Sequence, residues 1–190
     1  MKFLLTAINA KYIHSNLGVY SLKKYAESAS SGEYGITIEI AEYTINHPVS
    51  QILQDIYRRR PDIIGFSCYI WNLDYVWELV HDLHKILPGT DIWLGGPEVS
   101  FDAPRLLAKE SQVLGIMKGE GEETFARLVT CYEALGTSAA QASEEKKQCP
   151  GQMSSGTSEH EAWAPADAPR CKVQESAPGP VAQGDAPRPK

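Results

Sequence analysis

Two glycine-bearing stretches hold the residues best suited to accept a ligand: Gly95-Gly96-Pro97-Glu98 in DIWLGGPEVS and Gly119-Glu120-Gly121 in KGEGEET. Each follows an apolar run, and a residue without a Cβ lets a flat or phosphorylated molecule lie close to the backbone. The same glycines also permit an ordinary turn with positive φ. Glu120, Glu122 and Glu123 place negative charge where the next helix begins, so a neutral or amide-bearing ligand suits that rim better than a free polyphosphate. Asn9, His14, Ser15 and Asn16 in INAKYIHSNLG form a third group, just before a helical pattern. Ser15 or Asn16 serves as a helix cap, Asn9 as a turn former, and His14 can hydrogen-bond or ligate a metal. Ser67 and Tyr69 in GFSCYI complete the set, with a small hydroxyl at the end of an apolar run.

Several chemistries are excluded. The phosphate loop GxxxxGKS is absent, and the first turn lacks GxGxxG. Cys68, Cys131, Cys149 and Cys171 show neither CxxC nor CxxxCxxC spacing, so no zinc knuckle or iron-sulfur site is built locally. His81 and His84 share a helix face at i, i+3, a spacing that by itself describes surface histidines. No nucleophile, base and oxyanion site converge, so no catalytic residue is assigned. The chain has 18 basic and 24 acidic residues, a net charge of −6, and is no polyanion binder by composition. Its one basic run, Arg58-Arg59-Arg60, sits where a helix ends and complements the helix dipole. Asn9, Lys11 and His14 interrupt the first apolar run before a signal peptide or membrane span can form, so a reducing cytoplasm is expected.

The elements that position these groups alternate regularly. Apolar runs at 2–8, 36–43, 62–70, 91–96 and 112–119 read as strands, the second as an edge strand and the third as central. Helical patterns occupy 17–30, 49–60, a stretch beginning after Asn72 or Asp74 and ending before Pro88, 103–110 behind Asp102, and 122–135. Five βα repeats predict a parallel sheet with helices on both faces, a doubly wound flavodoxin-like (Rossmann-like) fold of strand order 2-1-3-4-5 over residues 1–135. From Gly136 to Lys190 there is no Ile, Leu, Phe or Tyr, and seven of the 12 prolines lie there, so 136–190 is expected to be a disordered, low-complexity tail.

In such a fold ligands bind beyond the carboxyl ends of the strands, where the Asn9–Asn16, Ser67–Tyr69, Gly95–Glu98 and Gly119–Gly121 groups fall. A phosphorelay receiver would need a carboxylate at the end of the third strand and paired acids after the first, and neither is present. A flavin or nucleotide carrier would require Asn9 to Asn16 to bind phosphate. A non-binding interaction domain would use Trp71, Tyr75 and Trp77, aromatics that equally suit packing at the sheet end.

NAKYIHSNLG, RRPDIIGFSCYIWN, IWLGGPEVSFDAPRLL and IMKGEGEETFARL, taken together, resemble the N-terminal cobalamin-binding domain of the cobalamin-dependent radical S-adenosylmethionine enzymes. The resemblance covers about residues 1–135. It implies a corrinoid held against the sheet end, with loops around the ring and the nucleotide tail between sheet and helices. Gly95 and Gly96 match the family's paired glycines, Ser67 its strand-three serine with Tyr69 nearby, and Gly119, Glu120 and Gly121 its final loop. Cobalamin domains with a histidine on cobalt use DxHxxG after the first strand; the nearest match here, Tyr12-x-His14-x-x-x-Gly18, lacks the Asp and is one residue longer. His14 is thus a possible cobalt ligand only by a loose match. The iron-sulfur cluster and S-adenosylmethionine belong to a following barrel domain, whose CxxxCxxC is missing here. The expectation is therefore a corrinoid-binding module without its catalytic barrel, partnered by a corrinoid and by such a barrel domain, with no nucleic acid and no membrane.

Overall fold

The run KFLLTAIN contains no polar alternation, and all six residues from Phe3 to Ile8 are buried, as a strand covered on both faces must be. It forms β1 (Lys2–Asn9), the second of five parallel strands in a computed structural model that describes residues 1–11, 14–29 and 35–147, with side chains through 135. The others are β2 (Thr37–Thr44), β3 (Ile63–Ser67), β4 (Asp91–Gly95) and β5 (Gly115–Met117), in the order β2-β1-β3-β4-β5. Between them run α1 (Leu17–Ala29), α2 (Val49–Arg59), α3 (Leu73–Ile86), a single turn α4 (Pro97–Ser100) and α5 (Ala103–Lys109); α6 (Gly121–Lys147) closes the fold. This is the expected flavodoxin-like arrangement, with β2 at the edge and β3 in the centre.

The sheet separates two cores. Leu4 and Ile8 of β1, Ile64 and Phe66 of β3, and Ile92 and Leu94 of β4 pack with Ile52 and Ile56 of α2 and Leu79 and Leu83 of α3. On the opposite face Phe3, Leu5, Ile63 and Met117 pack with Val19 of α1 and Phe125 and Val129 of α6. There the rings of Phe3 and Phe125 meet edge to face at 4.9 Å. Register aligns the carboxyl ends: Ala7 stands beside Ser67, Ser67 beside Gly95, and Gly95 beside Met117. Strand alternation puts Gly65, Ser67 and Gly95 on the α1/α6 face, so its centre is nearly bare of side chains near that end.

Four boundaries depart from expectation. β3 stops at Ser67 rather than continuing to residue 70, because Cys68 donates its N–H to Gly95 O at 2.7 Å and Tyr69 donates to the Asn72 side chain at 2.8 Å. β5 is confined to three residues. α4 is an added turn, started by Pro97 at its first position and by Gly96 at φ 111°. α6 continues to Lys147, 12 residues into the segment expected to be disordered. The Ala, Gln, Glu and Lys residues of 136–147 are strong helix formers, and the one glycine of that stretch, Gly136, costs about 1 kcal/mol. The expected tail beyond Lys147 lies outside the described residues.

Arg58 and Arg59 occupy the last turn of α2, and Arg60 follows in the left-handed conformation at φ 50°, as a helix end requires. Among the described residues no helix is long and apolar enough to cross a membrane.

Candidate functional site

The bare stripe on the α1/α6 face becomes a cavity of about 420 Å³ that opens toward the carboxyl ends of the strands. Its floor is Leu5 and Gly65, α1 contributes Val19 and Leu22, and Met117 stands on the β5 side. Of the expected site residues, Ser67, Tyr69, Gly95, Gly96, Pro97, Gly119 and Gly121 line it. Asn9, His14, Ser15, Asn16, Glu98 and Glu120 do not, although the first loop stands at its mouth through Asn16.

The glycines differ in what they allow. A Cβ on Gly96 would stand 2.4 Å from the carbonyl oxygen of Cys68, and its φ of 111° is one that other residues rarely adopt. Gly96 is therefore demanded by the protein's own backbone before any ligand is considered, in keeping with the positive-φ turn that its sequence also allowed. A Cβ on Gly95 would meet Met117 only at 3.4 Å, an ordinary contact, so this position is bare on the cavity side without a packing need. Gly119, at φ 75°, has open space within 4 Å of where a Cβ would stand and serves the loop's turn.

The first loop is anchored by Glu42 of β2. Its carboxylate accepts the Asn16 backbone N–H at 2.7 Å, the Asn9 amide at 3.1 Å and the Tyr20 hydroxyl at 2.8 Å, and Ser15 adds a further side-chain bond. Partial burial pushes the Glu42 pKa up, but these donors outweigh it and the carboxyl ends below its ordinary value. Asn9 also donates to His14 O at 3.0 Å. The loop thus uses His14 through its backbone while the imidazole stands exposed. Asn16 caps α1, its Oδ1 accepting Val19 N–H at 3.4 Å, and its Nδ2 reaches Ser67 Oγ at 3.2 Å.

After β3 the chain is braced by Asn72, which is 1% exposed. It does not use its side chain as a cap for α3. Its amide nitrogen instead donates to Ile8 O at 3.0 Å and Ser67 O at 2.9 Å, while its oxygen accepts Tyr69 N–H. Trp71 adds an indole bond to Ile8 O at 3.2 Å and stacks on Tyr69 with ring centroids 4.5 Å apart. This bracing holds Tyr69 at the cavity wall. Tyr75 donates to Ile45 O at 2.7 Å, and Tyr75 and Trp77 pack on the α2/α3 core, so these two aromatics serve packing.

Cys68, next to Ser67 at the cavity, is not poised as a nucleophile. Burial pushes the Cys68 thiol up to about 12, and its sulfur faces Phe66 O at 3.6 Å. His81 pairs with Glu110 at 3.1 Å, away from the site. Among the described residues no group of three His, Cys, Asp or Glu side chains could hold a metal.

Sequence reasoning missed the floor and side walls, Leu5, Gly65, Phe66, Gly18, Val19, Leu22, Ser100, Met117 and Glu122. Gly65 carried a usable signal, since a glycine inside an apolar strand marks a close approach. Val19 and Leu22 read only as the core face of a helix, and nothing in their spacing sets them apart.

Residues 4–129 match the family model described as the B12 binding domain. A curated relative, the 2-(S-pantetheinyl)-carbapenam-3-carboxylate methyltransferase of Streptantibioticus cattleyicolor, is 30% identical over 69 residues, which is 36% of this chain and 10% of that protein. Among solved structures, the cobalamin-dependent S-adenosylmethionine radical enzyme OxsB, with aqua-cobalamin and S-adenosylmethionine bound, gives a TM-score of 0.58 at 19% identity, covering 70% of this chain and 19% of OxsB. The radical S-adenosylmethionine methyltransferase TsrM from Kitasatospora setae, with tryptophan substrate and an S-adenosylmethionine analogue bound, gives 0.53 at 16% identity, covering 71% of this chain and 26% of TsrM. The chain therefore spans a tenth to about a quarter of these proteins, and its likeness to the two solved structures is one of fold.

Proposed function

Because this chain belongs to the B12-binding domain family, we propose that it is a corrinoid-binding module, holding the nucleotide end of cobalamin in the cavity between sheet and α1 and the macrocycle at the strand ends. The observation that carries this reading is the cavity left where Ser67 stands in register with Gly95 and Gly65 lies two residues before Ser67 on the same face. At about 420 Å³ it has the size of a small-molecule pocket. It is too small for a whole corrinoid and roomy enough for its flat base. Its mainly apolar walls suit such a group, and the Ser67 hydroxyl offers a polar contact beside them.

In this reading Ser67, Tyr69, Gly95 and Gly96 border the ligand together with Pro97, Gly119 and Gly121. Asn9, Ser15 and Asn16 hold the first loop beside it, and Glu98 and Glu120 form an exposed acidic rim that favours the neutral carboxamides of a corrin ring over phosphate. Bound cobalamin supplies a cobalt that can carry a methyl group or tune radical chemistry. The chain itself binds, orients and shields. Leu17, Ile70 and Phe101, 78%, 78% and 97% exposed, lie in the loops and helix starts that follow β1, β3 and β4, where a radical S-adenosylmethionine barrel domain would cover them. Iron-sulfur and S-adenosylmethionine chemistry belongs to that partner.

Titration of the purified chain with hydroxocobalamin and, separately, with flavin mononucleotide tests the reading. Corrinoid absorbance co-eluting with the protein on gel filtration, and no flavin retention, is the expected result; retention of flavin alone would replace cobalamin with a nucleotide ligand. His14 is the candidate cobalt ligand within this reading. A shifted spectrum of bound corrinoid in His14→Ala supports that role, and an unchanged one removes it.

A further inference from the structure

The direction of one hydrogen bond at the cavity mouth is set by the rest of the fold. Asn16 Oδ1 is engaged as the cap of α1, accepting Val19 N–H, and its backbone N–H is held by Glu42. With the oxygen committed to the helix, the amide nitrogen faces Ser67, at 3.2 Å from Oγ. An amide NH2 only donates, so Ser67 Oγ accepts, and the serine must place its own proton elsewhere. Among the described residues no acceptor for that proton is found, while Ser67 lines the cavity. Ser67 thus presents a donor to whatever is bound.

We propose that Asn16 is a positioning residue that makes Ser67 a hydrogen-bond donor toward the cavity, so that the group bound there must offer an acceptor lone pair. The inference rests on the corrinoid reading and adds the polarity of the contact. A corrinoid has two sources of such a lone pair: an unprotonated ring nitrogen of its nucleotide base, and a carboxamide oxygen of the macrocycle. A protonated base, which offers only a proton at that nitrogen, is refused.

Asn16→Asp provides the test, since aspartate caps a helix as well as asparagine but can only accept from Ser67 when ionised. The serine proton is then drawn away from the cavity. Dissociation constants for hydroxocobalamin and for dicyanocobinamide, which lacks the nucleotide, are measured near neutral pH for the wild type, Asn16→Asp, Ser67→Ala and the double variant. Asn16→Asp is expected to weaken hydroxocobalamin about fivefold, the worth of one hydrogen bond. Ser67→Ala should weaken it similarly, and the double variant no further, because a residue acting through another shows no effect once that other is gone. A loss confined to hydroxocobalamin assigns the lone pair to the base; an equal loss with dicyanocobinamide assigns it to a carboxamide. An unchanged affinity in Asn16→Asp, or a loss that persists undiminished in the Ser67→Ala background, overturns the proposal. If the wild type retains neither corrinoid, the corrinoid reading falls and this inference with it. Should Asn16→Asp not fold beside Glu42, Asn16→Ser, which keeps a cap but is too short to reach Ser67, makes the same comparison.

Discussion

Gly95 and Gly96 are neighbours in sequence with separate physical duties. A side chain on Gly96 collides with the Cys68 backbone, whereas one on Gly95 enters the cavity. Gly96→Ala is therefore expected to destabilise the fold by about 2 kcal/mol or more, visible in urea unfolding before any ligand is added. Gly95→Val should melt within about 5 °C of the wild type yet bind hydroxocobalamin at least about tenfold more weakly. Equal loss of stability in both variants would show that the two glycines serve packing alone. A third residue tests the core: Thr6 is fully buried in β1 and its hydroxyl has no hydrogen-bond partner among the described residues. Thr6→Val should stabilise the chain by about 1 kcal/mol in urea unfolding, since it removes an unmet polar group at little change in shape. The residue types in GGPEVS marked the place legibly, but not the difference between its glycines. That depends on Cys68, 28 positions away, which no local pattern reveals.

At the scale of elements, β2 does more than close the sheet. Glu42 fastens Asn9, Asn16 and Tyr20, joining the end of β1, the first loop and α1. Its carboxyl titrates below its ordinary 4.5 in the fold. The stabilisation is therefore complete at neutral pH and fades as pH falls below 4.5 and through the folded value. Melting temperatures followed from pH 7 downward, to about pH 3, should show an acid loss in the wild type that is smaller in Glu42→Gln, which starts lower at neutral pH. Superimposable profiles would remove Glu42 from the loop's support. Strands and helices were legible because apolar period and helix stops act locally, as in VSQILQDIYRRRP. The end of β3 was not, because GFSCYI is mostly apolar and the chain is turned away by bonds from Cys68 N–H to Gly95 O and from Tyr69 N–H to the side chain of Asn72.

For the whole molecule, alternation of strand and helix was enough to anticipate the order β2-β1-β3-β4-β5 and hence the end of the sheet where a ligand belongs. The cavity beneath α1 was not legible, since it arises from Gly95 of β4 standing in register with Ser67 of β3, with Gly65 two residues earlier on the same face. The central claim is that a corrinoid is held there, on the α1/α6 side and across the strand ends. Hydrogen–deuterium exchange of the full chain with and without hydroxocobalamin tests both the binding and its place. Slower exchange at 14–22, 67–72, 95–101 and 117–122, with α2 and α3 unchanged, is the predicted result. No difference at about 50 µM corrinoid, or protection concentrated on α2 and α3, would contradict it.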